Sequence, residues 1–150
     1  MLNFVLLVDR VELAFYREAL RRGRLSGELR EFAETAAGHE REHVRFIEGA
    51  LGSKARKPPR PRFGDATSSR DGFVDTAVAL EDLAVAAYNG QATNLTPATL
   101  AAAARIVSVE ARHAAWIRDI AGLTPAEDAI DEPKTADQVL AELRRRQIIA

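Results

Sequence analysis

The chain contains no cysteine in 150 residues, which excludes a disulfide scaffold, a thiolate metal site and a cysteine nucleophile. Aromatic residues are scarce, with six Phe, two Tyr and one Trp, while Ala and Leu abound, a balance that favours packed helices over sheet. The formal net charge is only −1, so no global field attracts nucleic acid or an anionic membrane. The N-terminal residues 1–9 (MLNFVLLVD) lack a cationic leader and a small-residue cleavage pattern. Their apolar run is too short to cross a bilayer. Together these absences predict a cytoplasmic chain with no nucleic-acid or membrane partner. They also leave histidine and carboxylate as metal ligands, which suit iron, manganese or zinc.

With 47% hydrophobic residues, the length supports one domain over residues 1–150 with a substantial core. Apolar residues at helical spacing mark a first helix over 2–22, with Asp9 and Glu12 close to its apolar stripe. Gly23 should stop it, and Arg17, Arg21 and Arg22 suit its C-terminal end. Ser26 is placed to cap a second helix that runs to Leu51 and stops at Gly52. Residues 52–70, with Pro58, Pro59 and Pro61, read as loop. A 25-residue helix is ~37 Å long, and a loop of this length can extend to ~60 Å. It can therefore cross the whole length of a bundle, and it is read as that crossover rather than as a plain surface loop. A third helix is expected over 71–93. Thr96 and Pro97 open a fourth, which runs to Ala121 before Gly122. After a polar linker, Thr135-x-x-Gln138 forms a capping box for a short fifth helix to about Gln147. The Arg144–Arg146 run is read as its solvated end.

An internal repeat organises these elements. His39–Ile47 aligns with Val109–Ile117 at an offset of 70 residues, and Glu-x-x-His recurs as Glu40/His43 and Glu110/His113. The preceding helices align at an offset of 72, pairing Asp9 with Glu81 and Tyr16 with Tyr88. Two helix pairs of one design, joined by a crossover, predict an all-α, antiparallel four-helix bundle over about 1–122, with a linker and fifth helix in 123–150.

Glu40, Glu81 and Glu110 each fall inside an apolar stripe, where an unpaired carboxylate would be costly and calls for a cation or a donor. Each Glu-x-x-His puts both ligands one turn apart on one face. Four carboxylates and two neutral imidazoles balance two divalent ions; without them the acids would repel and take up protons. The set is Glu40, His43, Glu81, Glu110, His113 and an acid from the first helix, either Asp9 or Glu12, or Asp9 with Glu12 as an additional carboxylate. Tyr16 and Tyr88 are placed either to hydrogen-bond ligand carboxylates or simply to pack. Phe46 and Trp116 are read as core.

These stretches, with Leu2–Phe4 through Tyr16 and Leu80–Tyr88, resemble the ferritin-like domain family that includes plant desiccation-related proteins. The resemblance extends to Pro133 and Val139-Leu140 and departs at Asp9, where that family usually shows Glu. It implies a ferritin-like bundle and a dinuclear site holding two iron ions, or manganese, or one of each. The expected activity is an oxidoreductase using dioxygen or peroxide, as ferroxidase or peroxidase, in a homo-oligomer such as a dimer. The competing readings are a non-enzymatic stress-protection or scaffold protein, and an HExxH zinc peptidase built on His39, Glu40 and His43. The last lacks a Gly-x-x-His continuation and leaves Glu81 and Glu110-x-x-His113 without a role. His39 then belongs beside the ligands or on the surface.

Overall fold

The computed structural model describes all of residues 1–150 and contains five α-helices and no strand. They are α1 (Leu2–Arg22), α2 (Gly27–Leu51), α3 (Arg70–Gln91), α4 (Pro97–Ile120) and α5 (Ala136–Arg145).

Local chemistry sets most of the boundaries. Gly23 closes α1 in the left-handed region at φ +66°, a conformation glycine adopts without a Cβ clash. Thr96 caps α4 by accepting from Thr99 N at 3.4 Å, with Pro97 in the first turn. The Thr135/Gln138 capping box closes in both directions, at 3.3 and 2.8 Å. Ser26 precedes α2 in an extended conformation, yet its hydroxyl makes no capping bond. Three ends fall short of their expected positions, α4 by a single residue at Ile120. The third helix gives way to a 3-10 turn over Ala92–Asn94, and α5 ends at Arg145, with Gln147 at φ +58°.

α1 packs on α2 and α3 on α4, and the two hairpins meet through α1–α3 and α2–α4. The segment between α2 and α3 is the crossover. At its start, Asn3 Nδ2 donates to Lys54 O at 2.9 Å and Arg56 N donates to Asn3 Oδ1 at 2.8 Å. At its far end Thr67 donates to Glu18 at 2.9 Å, and Arg22 donates to Ser68. The segment therefore runs the length of α1, from its first turn to its last. No helix is long and apolar enough to cross a membrane.

The core is aromatic at one end of the bundle. There Phe15 stacks on Phe73 at 5.1 Å and meets Tyr16 and Phe63 edge-on. Val139, Leu143, Ile148 and Ile149 join the same cluster, so α5 and the tail close that core. The linker before α5 does more than connect. Lys134 N donates to Ala86 O at 2.9 Å, and the Lys134 carbonyl lies directly over Gly90. Phe46, read as core, is 50% exposed. Its neighbours on α2 explain this, since Arg45 and Glu42 share that outward face. Trp116 is half-buried: its ring meets Phe32 edge-on at 5.4 Å, and its N–H reaches Glu28 at 2.9 Å.

Candidate metal centre

All five carboxylates anticipated from the sequence, Asp9, Glu12, Glu40, Glu81 and Glu110, are completely buried, and His43 and His113 are nearly so. They converge between the four helices. Asp9, Glu40 and His43 form one group with ligand atoms within 4.8 Å of one another. Glu40, Glu110 and His113 form a second, and Glu12, Glu81 and Glu110 a third. Glu40 and Glu110 thus belong to more than one group and stand at the middle. The choice between Asp9 and Glu12 has no single answer in the geometry. Asp9 faces Glu40 and His43, whereas Glu12, one turn on, faces Glu81 and Glu110.

Nine buried side-chain oxygen and nitrogen atoms in the protein lack a hydrogen-bond partner, and every one belongs to this cluster. They are both oxygens of Glu12, Glu40 and Glu110, one of Glu81, and Nδ1 of His43 and His113. Native cores rarely leave buried polar atoms unpaired, so nine in one place are what a cluster built to hold cations would present. His43 Nδ1 lies 2.9 Å from Glu110, and His113 Nδ1 lies 3.5 to 3.6 Å from Glu40, Glu81 and Glu110. These contacts are close but not aligned as hydrogen bonds. The donor set is carboxylate oxygen with two imidazoles, which fits a divalent transition metal.

The atoms facing away from the cluster are, by contrast, well held. Tyr16 on α1 donates to Glu81 on α3, and Tyr88 on α3 donates to Asp9 on α1 at 2.9 and 3.1 Å. The two tyrosines are exchanged by the internal repeat, and so are their acceptors. His39 lies outside the acidic groups: its Nδ1 is 2.9 Å from His113 Nε2, and the two rings lie edge to edge with centroids 5.1 Å apart and planes within 12°. That arrangement turns His113 Nδ1 toward the carboxylates. It also removes His39 from the pairing with His43 that a zinc peptidase requires.

The profile of the ferritin-like domain matches residues 1–123. The chain belongs to the ferritin-like domain family. No curated protein matches it significantly. Within a ferritin-like bundle, the acidic and histidine groups are compatible with a dinuclear metal site.

The electrostatics of this ferritin-like cluster follow from burial. Desolvation, followed by repulsion from neighbouring acids, raises Asp9, Glu12 and Glu40 well above their ordinary values. Glu81 rises less, because His113 and Tyr16 favour its charged form. For Glu110, burial is outweighed by His113 and His43, and its pKa falls. Burial opposes a charge on the two histidines, but Glu110 overrides it and lifts His113 to about 10. Burial and the adjacent carboxylates hold both tyrosine phenols protonated, so they remain donors.

Two expectations arise here. Asp9, Glu12, Glu40 and Glu81 have folded-state pKa values above their unfolded ones, so they favour folding at low pH, and that advantage fades as pH rises past about 4.5. The raised histidines add a further loss above about 6.5, while Glu110 acts oppositely only on the acid side. Metal-free protein should therefore unfold at lower urea as pH rises from about 5 to 8, whereas metal-loaded protein should not. Greater stability of the metal-free form at the higher pH would contradict this. Separately, His39→Ala should weaken metal binding by roughly 10- to 100-fold with the bundle intact, as removal of a ligand-orienting partner does. Competition with a chromogenic chelator measures it.

Proposed function

We propose that the chain binds two ions of iron, of manganese or one of each, and acts as an oxidoreductase toward dioxygen or peroxide. The observation that carries this reading is the set of nine unpartnered buried atoms, all within one cluster of acids and histidines. Asp9, Glu40 and His43 would hold one ion and Glu81, Glu110 and His113 the other, with Glu40 and Glu110 also turned toward the shared middle. Bound there, such a pair supplies two linked one-electron changes and open positions for an oxidant.

The protein's own part is orientation and proton control. Tyr16 pins one oxygen of Glu81 and leaves the other for coordination, and Tyr88 holds the Asp9 carboxylate, lying within reach of both its oxygens. His39 fixes the ring plane of His113. Glu12 is the carboxyl beyond the four that balance two divalent ions. Burial and the neighbouring Glu81 push its pKa well up, so it is the acid best placed to carry a proton beside the place where the oxidant would be reduced.

The test is metal content after anaerobic reconstitution, followed by exposure to oxygen and to peroxide with absorbance recorded. The expected result is two ions per chain and an oxidant-dependent spectral change that a Glu40→Ala/His43→Ala variant lacks. Fewer than one ion per chain would overturn the reading. Full loading with no response to either oxidant would leave a metal-stabilised scaffold instead.

A further inference from the structure

At the end of the bundle where α1 and α4 begin and α2 and α3 end, the packing opens into a cavity of about 290 Å³. Fourteen residues line it, twelve of them apolar, and the polar pair is Gln91 and Thr99. That composition and size fall at the small end of ligand pockets, which are mostly apolar with a few polar groups. The volume is roughly twice the ~150 Å³ of an apolar cavity that holds benzene, enough for two fused rings or a medium alkyl chain.

The floor of this cavity abuts the metal centre on every helix. Val5 lies one turn before Asp9, Ile47 one turn after His43, and Ile106 one turn before Glu110. Tyr88, also in the lining, donates directly to Asp9. All four of these residues are buried. The mouth of the cavity is flanked by the exposed Phe46, and beyond it a second, polar recess of about 530 Å³ runs down to His43. The two spaces share Phe46, Ala102 and Ile106. Arg45 and Arg105 line the recess. Arg45 is paired with Glu42 at 2.7 Å, while Arg105 has no carboxylate within salt-bridge distance.

We propose that these joined spaces bind an amphipathic carboxylate: an aryl or medium-chain acid whose apolar body fills the cavity and whose head group pairs with Arg105. Apolar burial supplies most of the affinity and the exposed arginine orients the ligand. The site rests on the cavity and the unpaired cation, not on the presence of metal. It would set an organic molecule one helical turn from the buried acids.

Calorimetric titration of the full chain with 2-naphthoate and with its neutral analogue 2-naphthylmethanol tests this. One saturable site per chain is expected, with the acid binding more tightly. Arg105→Gln should remove that preference, a change of roughly two- to fivefold, and leave the alcohol's affinity alone. Ala102→Phe, which fills the cavity, and Ala50→Trp, which closes its exposed mouth without entering the core, should each weaken both ligands by at least about tenfold. Both affinities should survive chelator treatment. Absence of saturable binding, indifference to both cavity variants, or equal affinity for acid and alcohol would overturn the proposal. So would binding lost on chelation while the helical signal remains, because the carboxylate would then be a metal ligand. A failed metal reconstitution with binding intact would refute the dinuclear reading alone.

Discussion

Glu110→Ala is expected to abolish loading of both metal positions at once, whereas Asp9→Ala should spare one. The difference follows from where each carboxylate stands. Asp9 is grouped only with Glu40 and His43, but Glu110 is grouped with Glu40 and His113 and again with Glu12 and Glu81, and it also lies 2.9 Å from His43. It is also the only acid of the cluster whose pKa is lowered, by His113 and His43 against burial, so it is the most readily ionised of the set. Its removal should also let the His113 imidazole, held near 10, fall back toward neutrality. The loss in affinity should exceed the roughly 10- to 100-fold typical of an outer partner. Elemental analysis of both variants after identical reconstitution decides the matter. Two ions retained by Glu110→Ala would refute its place between the halves. Because the histidines can shed their protons once Glu110 is gone, no unpaired ion stays buried, and the metal-free fold should persist.

The second large effect is far from the metal. Gly90→Ala should destabilise the protein by about 2–4 kcal/mol, combining overpacking with a lost backbone bond. At roughly 2–4 °C per kcal/mol for a chain of this size, that is a fall in Tm of about 5–15 °C. A Cβ at Gly90 would sit 1.8 Å from the Lys134 carbonyl oxygen and 2.6 Å from its carbon, atoms with no rotamer by which to escape. The linker would have to lift away, taking with it the Lys134–Ala86 hydrogen bond and loosening α5 against α3. Gly49 provides the control. It lies within α2, and a Cβ added there would meet nothing within 4 Å. Gly49→Ala should therefore be neutral or stabilise by up to about 1 kcal/mol. Thermal melts followed by circular dichroism compare the two. Equal melting temperatures would show that the linker is not held at Gly90.

The features legible in the sequence were those with a periodic or repeated signature. Two Glu-x-x-His pairs 70 residues apart are improbable as surface decoration, and a glutamate inside a stripe of alanine and valine is costly unless something charged meets it. The crossover was legible because three prolines within four positions rule out helix while the loop length matches the bundle. Phe46 escaped because an aromatic at i+3 from a buried histidine looks like core, and only the neighbouring helix shows where packing stops. The docked linker escaped for a similar reason: Gly90 and Lys134 are 44 residues apart, and nothing local in either marks the contact. The cavity beside the centre was equally invisible. Val5, Ile47 and Ile106 have the spacing of ordinary core residues, and whether such residues meet or leave a gap is decided by all four helices together.

The crossed tyrosines make the two hairpins mutually dependent. Neither hairpin keeps its tyrosine for its own acid: Tyr16 serves Glu81, and Tyr88 serves Asp9. A lone hairpin of this design would have an aspartate or glutamate without its phenol and a phenol without its acceptor. Each hairpin is therefore incomplete alone and supplies what the other lacks. The crossover makes that exchange intramolecular, so the pairing of phenol and acid does not depend on protein concentration.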